Sequence, residues 1–296
     1  MTDLKGHRIL VVGASSGIGR SVGLQAAAAG ADVAFAARRV DRLETAVAEA
    51  GGRSLAIRCD VRNDEHCAEA VALAVERFGG LDAVVYGAGK SPLTRSHDAT
   101  GDVWREVLET NVIGAAQVAR AALPHLEASG GRLVFLGSSS VGRPYPGLVP
   151  YTTTKAALHE MARGLRGEYP WLRVTTFIVG PTITEFADSW DPVLTVEMFE
   201  RWSAEGYPAA GAVMTVEDMA EQVLRVLASG ARIEEILVMP DNPPAAPAPA
   251  PPSADGPWPR GADGPRTPTP RAREPRAQEP RPQEHGRSLP GYHVGT

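Results

Sequence analysis

Short apolar runs alternate with alanine-rich, helix-periodic stretches along most of this chain. The runs fall at 8–12, 32–36, 54–58, 83–86, 132–136, 173–179 and 235–239. Most are apolar at consecutive positions rather than at every second one, which suits strands of a parallel sheet covered on both faces. Between them, 18–29, 41–50, 64–78, 102–128 and 151–168 carry helical periodicity, and 216–228 reads as a last helix. Strand–helix alternation on this scale predicts an α/β fold, a doubly wound parallel sheet of about seven strands with helices on both faces. Two stretches break the rhythm. A polar loop at 90–101 follows the fourth strand, and a long insertion at 185–212 precedes the last helix. Both follow strand carboxyl ends, where open α/β sheets bind their ligands.

Composition divides the chain unevenly. Residues 1–239 hold nine prolines and residues 240–296 hold sixteen. The segment 241–296 has almost no branched aliphatics and cannot bury enough apolar surface to offset its ordering entropy. It is expected to be a disordered Pro/Arg-rich tail after a single domain at 1–240. Its seven Arg and six Asp/Glu nearly cancel, unlike a one-signed nucleic-acid arm. The net charge of −5 also argues against a general polyanion binder. Cys59 and Cys67 have neither metal-ligand nor disulfide-framework spacing, so no metal is expected. The first strand begins by Ile9 with no charged-then-apolar leader, and no apolar run reaches the ~18 residues of a membrane span. The expectation is a soluble, cytoplasmic protein without nucleic-acid or membrane partners.

Candidate chemistry begins where the first strand runs into G-A-S-S-G-I-G. Gly13, Gly17 and Gly19, with Ser15, Ser16 and Ile18, stand between a strand and a helix. Glycines there permit a tight turn and a close backbone approach to a pyrophosphate, and the helix N-terminus favours its charge. A dinucleotide site that prefers NAD places a carboxylate at the end of the second strand. This chain has Ala37, then Arg38 and Arg39. Guanidinium groups pair with a 2′-phosphate, so the expected cofactor is NADP(H). Two solvated arginines at a helix start are the plainer alternative. Asp60 and Val61 end the third strand, where Asp60 suits either the adenine amino group or a helix N-cap.

Tyr151 and Lys155 stand four apart in Y-T-T-T-K, with Ser138 thirteen residues upstream of the tyrosine. Residues i and i+4 share a helix face. An ammonium beside a phenol favours the phenolate and lowers its pKa, which predicts an acid/base active near neutral pH. The chain has only three lysines among its 30 basic residues, so one at 155 is less easily surface filler.

Taken together, these motifs resemble the classical short-chain dehydrogenase/reductase family over about residues 5–240. The matching elements are G-A-S-S-G-I-G, D-V at 60–61, G-A-G at 87–89, T-N-V at 110–112, G-S at 137–138, Y-T-T-T-K at 151–155 and R-V-T-T-F-I-V-G-P-T at 173–182. The resemblance implies a Rossmann-like sheet and hydride transfer between a nicotinamide and a ketone or secondary alcohol. The family's Asn-Ser-Tyr-Lys tetrad falls on Asn111, Ser138, Tyr151 and Lys155, with Ser139 as the fallback serine. It implies that Tyr151 exchanges the proton with substrate oxygen and that Lys155 lowers the tyrosine pKa and binds the nicotinamide ribose. Ser138 bonds the substrate oxygen, and Asn111 kinks its helix and anchors a water. Cofactor contacts are implied for Gly87, Ala88, Gly89, Tyr151, Lys155, Ile183 and Thr184. Two departures stand out. Val12 and Gly87 replace the family's Thr and Asn, and Gly180-Pro181 inverts the usual Pro-Gly. Family members commonly pair through the helices at about 102–128 and 151–168, so a homodimer or homotetramer is expected, with Ala115, Ala116, Ala119, Ala156 and Ala157 allowing close approach.

Substrate specificity is expected in the insertion. Phe186, Trp190, Val193, Leu194, Met198, Phe199, Trp202 and Tyr207 crowd it in a chain only 6% aromatic. They suit either a lid with an apolar underside or ordinary packing of that segment. Phe186, Trp190, Phe199 and Trp202 are the substrate candidates, with Tyr145 and the loop bearing Ser91, Leu93 and His97 completing the wall. His97 reads as a surface residue. The pocket predicts an apolar, medium-sized ketone or secondary alcohol. A non-catalytic NADP-binding sensor or scaffold is the alternative of another class. A nucleotide-sugar epimerase or dehydratase is disfavoured because folded sequence ends near residue 240.

Overall fold

The computed structural model describes residues 2–208 and 211–241. The tail expected at 241–296 therefore lies, apart from Asp241, outside the described residues. Seven strands form one sheet: β1 (Arg8–Val12), β2 (Asp32–Ala37), β3 (Ser54–Arg58), β4 (Ala83–Tyr86), β5 (Arg132–Leu136), β6 (Arg173–Val179) and β7 (Glu235–Val238). Their order is β3-β2-β1-β4-β5-β6-β7, and every pairing is parallel. The chain winds outward from β1 to β3, then returns to place β4 on the other side of β1. That reversal opens a crevice at the strand carboxyl ends.

Consecutive apolar residues serve both faces of each central strand. In β1, Ile9 and Val11 join the core under α1 (Gly17–Ala28), α2 (Val40–Ala50) and α8 (Val216–Ala228), with Val22, Leu43 and Met219. Leu10 and Val12 join the opposite core under α3 (Asp64–Phe78), α5 (Gly114–Ser129) and α6 (Val149–Glu168), with Val71, Val118 and Leu158. Each such buried side chain contributes roughly 1.5–3 kcal/mol. Cys59 and Cys67 are buried and unoxidised in the second core. The edge strand β7 is less covered, and Leu237 is 60% exposed.

Helix boundaries follow local chemistry. Asn63 caps α3 by accepting from His66 N, and Thr215 and Asp218 form a reciprocal capping box on α8. The insertion contains a 3₁₀ turn at Glu185–Ala187 and α7 (Pro192–Ala204), the latter capped by Asp191 and started by Pro192. Beneath α7 lies a third apolar cluster of Leu93, Tyr145, Leu148, Met198 and Trp202.

The continuous helix expected at 102–128 is broken. α4 (Gly101–Leu108) passes into a π turn at Glu109–Ile113 before α5 begins. A π turn shifts the hydrogen-bond ladder by one residue and frees a carbonyl. Here Tyr86 Oη donates to Thr110 O at 2.5 Å. Gly114 permits the approach, since a Cβ there would stand 2.7 Å from Tyr86 Oη and 2.8 Å from Val61 Cβ.

Candidate active site

A crevice of about 860 Å³ runs along the carboxyl ends of the strands. It is lined by every site residue proposed from the sequence except Asn111, which is fully buried behind it. At one end stands the glycine-rich loop. Gly13 has φ +86°, and a Cβ there would come within 2.5 Å of Ala88 N. Ser16 begins α1 without a side-chain cap, and the first turn holds no acid. The helices α3, α4, α7 and α8 are all capped by side chains, from Asn63, Thr100, Asp191 and Thr215. The leading turn of α1 has no side-chain cap and borders the crevice, where helix N–H donors suit a pyrophosphate.

Arg39 rather than Arg38 reaches this loop. Its guanidinium donates to Ser15 Oγ at 3.0 Å and Ser16 Oγ at 2.7 Å. Arg38 is exposed and lies along the wall near Asp60, whose carboxylate it helps keep ionised. Asp60 does not cap α3, a role that falls to Asn63. Its carboxylate instead accepts from Arg62 through Nε at 2.9 Å and Nη2 at 2.6 Å, which holds it down at about 2. Sequence reasoning missed Arg42 and Glu185, which also meet here. Arg42 Nη1 donates to Glu185 Oε2 at 2.6 Å. Their separation of 143 residues leaves no local signal in the sequence.

At the other end, β5 and α6 deliver the acid–base residues. Lys155 is buried, and its ammonium donates to Leu136 O, the last carbonyl of β5, at 2.7 Å. Burial pulls Lys155 down to about 8. The ammonium stands over the Tyr151 ring, 5.7 Å from its centroid. Burial dominates the phenol and pushes it up to about 12, with the Ser138 hydroxyl acting in the opposite direction. The expected lowering of Tyr151 by Lys155 is therefore not what this arrangement does, and Tyr151 holds its proton at neutral pH. Ser138 is buried beside Ser140, sharing a 2.9 Å hydrogen bond between hydroxyls.

Asn111 sits inside the π turn with its amide fully engaged. Its Nδ2 donates to Lys90 O at 2.9 Å and Thr154 Oγ1 at 2.8 Å, while its Oδ1 accepts from Lys90 N at 2.7 Å. Thr154 in turn donates to Tyr151 O at 2.7 Å. The sequence marked neither Thr154 nor Lys90. Within Y-T-T-T-K nothing in the sequence separates Thr154 from Thr152, which is buried too.

The substrate candidates divide into two groups. Phe186 packs edge-on against Tyr151 at 5.5 Å between centroids and is 37% exposed, and Phe199 is 39% exposed. Trp202 and Tyr145 are buried and packed edge-on at 5.3 Å, with Trp202 Nε1 donating to Pro146 O at 3.0 Å. Trp190 lies between, its Nε1 donating to Ser91 O at 2.5 Å. Ile183 is 64% exposed at the rim, Thr184 caps the turn that follows, and His97 lies on the surface as expected. No described helix is long and apolar enough to cross a membrane, and no metal-ligand cluster occurs among the described residues.

A family model described as short chain dehydrogenase matches residues 7–194. An 11-beta-hydroxysteroid dehydrogenase A of Sesamum indicum is 36% identical over 174 residues, which are 56% of this chain and 49% of that protein, so the match spans about half of the relative's length. An uncharacterized oxidoreductase of Staphylococcus aureus (strain MW2) is 30% identical over 244 residues, covering 81% of this chain and all of that protein. Among solved structures, a short chain dehydrogenase from Burkholderia cenocepacia J2315 in complex with NADP superposes with a TM-score of 0.71 at 31% identity, over 80% of this chain and 97% of that one. The family model takes in the glycine-rich loop, Tyr151 and Lys155 and more than half of the chain, and the chain belongs to the short-chain dehydrogenase family of oxidoreductases.

Proposed function

We propose that the protein is an NADP(H)-dependent oxidoreductase that interconverts a medium-sized apolar ketone and its secondary alcohol. The observation that carries this reading is the convergence, in one crevice, of Tyr151, Ser138 and Lys155 with an uncapped helix N-terminus and Arg39. The nicotinamide, when bound, supplies or accepts the hydride. Gly13, Ser15, Ser16, Gly17, Ile18 and Gly19 would hold its pyrophosphate, Arg39 with Arg38 the 2′-phosphate, and Lys155, Ile183 and Thr184 the nicotinamide end.

Tyr151 is the proton donor. A phenol raised to about 12 is fully protonated at neutral pH, the form needed to protonate the oxygen of a carbonyl being reduced. Ser138 donates a second hydrogen bond to that oxygen as charge develops on it. In the reverse direction Tyr151 takes the proton back, and the Ser138 hydroxyl, the group that acts to lower the phenol, favours the phenolate. Asn111 holds the Lys90 backbone and Thr154 in register, which fixes the wall opposite the phenol. Phe186, Phe199 and Trp190 form the apolar surface for substrate, and Trp202 and Tyr145 support them from below.

A homo-oligomer through α5 and α6 remains part of this reading. Ala115 and Ala119 are spent in the chain's own core, so the pairing face shifts to Ile113, Ala116, Val149 and Ala156, all exposed. Light scattering tests the mass. The cytoplasmic location is part of it too, and cell fractionation tests that. The enzymatic reading is tested by a panel of apolar ketones with NADPH or NADH. Consumption of NADPH with some member is expected, and no turnover with any ketone or secondary alcohol would refute it.

A further inference from the structure

Glu185 stands at the mouth of the crevice, opposite the second strand. It opens the 3₁₀ turn after β6, and its carboxylate reaches two guanidinium groups. Arg42 Nη1 donates to both oxygens, at 2.8 and 2.6 Å, and Arg39 Nη1 donates to Oε2 at 3.3 Å. The other donors of Arg39 hold Ser15 Oγ and Ser16 Oγ. Two planar guanidiniums therefore converge on one carboxylate, and Arg39 has further donors that it turns to two loop hydroxyls. That donor set is richer than a single carboxylate requires, and it matches a phosphate dianion.

We propose that Glu185 is an internal competitor for the 2′-phosphate of NADP(H). It holds Arg39 and Arg42 in the free protein and must leave them when a 2′-phosphate arrives. The proposal rests on the cofactor reading above and adds a specificity-determining residue to it. Two anions cannot share the same guanidinium pair without strong repulsion. The Glu185 side chain is 47% exposed, with Arg39 and Arg42 at 44% and 42%, so the resident pairing is a weak, solvent-screened one. A 2′-hydroxyl in place of the phosphate has no charge with which to compete, so Glu185 would stay.

Displacement has a consequence at the far end of the crevice. Phe186 follows directly and packs against Tyr151, and a Cβ on Gly89 would lie 3.7 Å from its ring. Glu185 therefore connects the arginines at the adenosine end to the aromatic cover of the proton donor. Release of Glu185 frees that cover when the ligand carries a 2′-phosphate and leaves it in place when the ligand does not.

The test is calorimetric titration of the full chain with adenosine 2′,5′-bisphosphate and with adenosine 5′-monophosphate, for wild type, Glu185→Gln and Glu185→Ala. Tryptophan fluorescence is followed alongside, in wild type and in Trp190→Phe, so that the share of the signal from Trp190, which lies in the same segment, is isolated from that of the other four tryptophans. Both Glu185 variants are expected to bind the bisphosphate about three- to fivefold more tightly than wild type, the range of an exposed ion pair removed from competition. Binding of the monophosphate is expected to stay unchanged, and the fluorescence change on adding bisphosphate should shrink in both variants. Unchanged or weaker bisphosphate binding in both variants would overturn the proposal, the weaker case meaning that Glu185 clasps the ligand. If wild type itself fails to prefer the bisphosphate, the NADP(H) reading falls first, and that outcome is distinct from a preference that Glu185 does not influence.

Discussion

Asn111 and Thr154 are joined by a 2.8 Å hydrogen bond that ties the π turn to the helix of Tyr151 and Lys155. Thr154→Val keeps the shape and removes the acceptor, leaving a buried N–H of Asn111 without that partner. An unsatisfied buried donor costs about 1–3 kcal/mol, so thermal unfolding should fall by several degrees and turnover should fall with it. Thr154→Ser should restore both. A valine variant with wild-type melting and wild-type kcat would show that this bond positions nothing.

Gly114→Ala offers a separate check on the π turn. Alanine favours helices over glycine by roughly 1 kcal/mol, so propensity alone predicts stabilisation. Packing predicts the reverse, because the new Cβ would meet Tyr86 Oη and Val61 Cβ at 2.7 and 2.8 Å. Forced overpacking costs about 1–3 kcal/mol, and urea unfolding should show a net loss. A gain in stability would mean that the turn relaxes freely.

The pH dependence of stability should carry the imprint of Lys155. Its folded value, about 8, lies below the ordinary 10.5, so between these limits the unfolded chain binds more protons. Stability from this group is therefore present above 10.5 and is lost as pH falls through about 8. The difference in melting temperature between wild type and Lys155→Met should move in favour of wild type as pH rises across that window. A difference that is flat from pH 8 to 10 would contradict the buried ammonium.

Cofactor preference should depend more on Arg39 than on Arg38. Arg39 bonds the loop serines, whereas Arg38 lies along the wall near Asp60. Charge-assisted pairing with a phosphate contributes about 1.5–3 kcal/mol, so Arg39→Ala should cut the NADPH/NADH ratio of kcat/KM about tenfold or more. Arg38→Ala should cut it less. The opposite ranking would put the phosphate nearer Asp60.

The strands were legible because their signal is local and unmixed. Runs such as Ile9–Val12 serve two cores at once and tolerate no polar residue, and β1 begins and ends where the pattern says. The start of α3 was legible at residue 64, but its cap is Asn63 rather than the Asp60 that the sequence offered. What stayed hidden is non-local. The π turn depends on Tyr86 accommodating a freed carbonyl, and only Gly114, an otherwise unfavourable helix residue, hints at it. Glu185 and Arg42 meet at the mouth of the crevice from 143 residues apart, and Trp202, an attractive pocket residue in sequence, is mostly spent on packing the inner face of its own helix, α7. The pKa of Tyr151 was misjudged because i+4 spacing shows that Lys155 is near, but not that its ammonium turns to Leu136 O.

The central claim is proton donation by Tyr151, and the decisive measurement is loss of reduced-nicotinamide absorbance with a ketone that wild type accepts, made in parallel on Tyr151→Phe. Binding of NADPH is followed in both proteins by tryptophan quenching. The phenylalanine variant should bind NADPH within a few-fold of wild type while its turnover drops about 10²–10⁴-fold, the usual contribution of a general acid. A variant that binds NADPH and still turns over at more than about a tenth of the wild-type rate, far above that range, would contradict the account, because the proton would then come from another group.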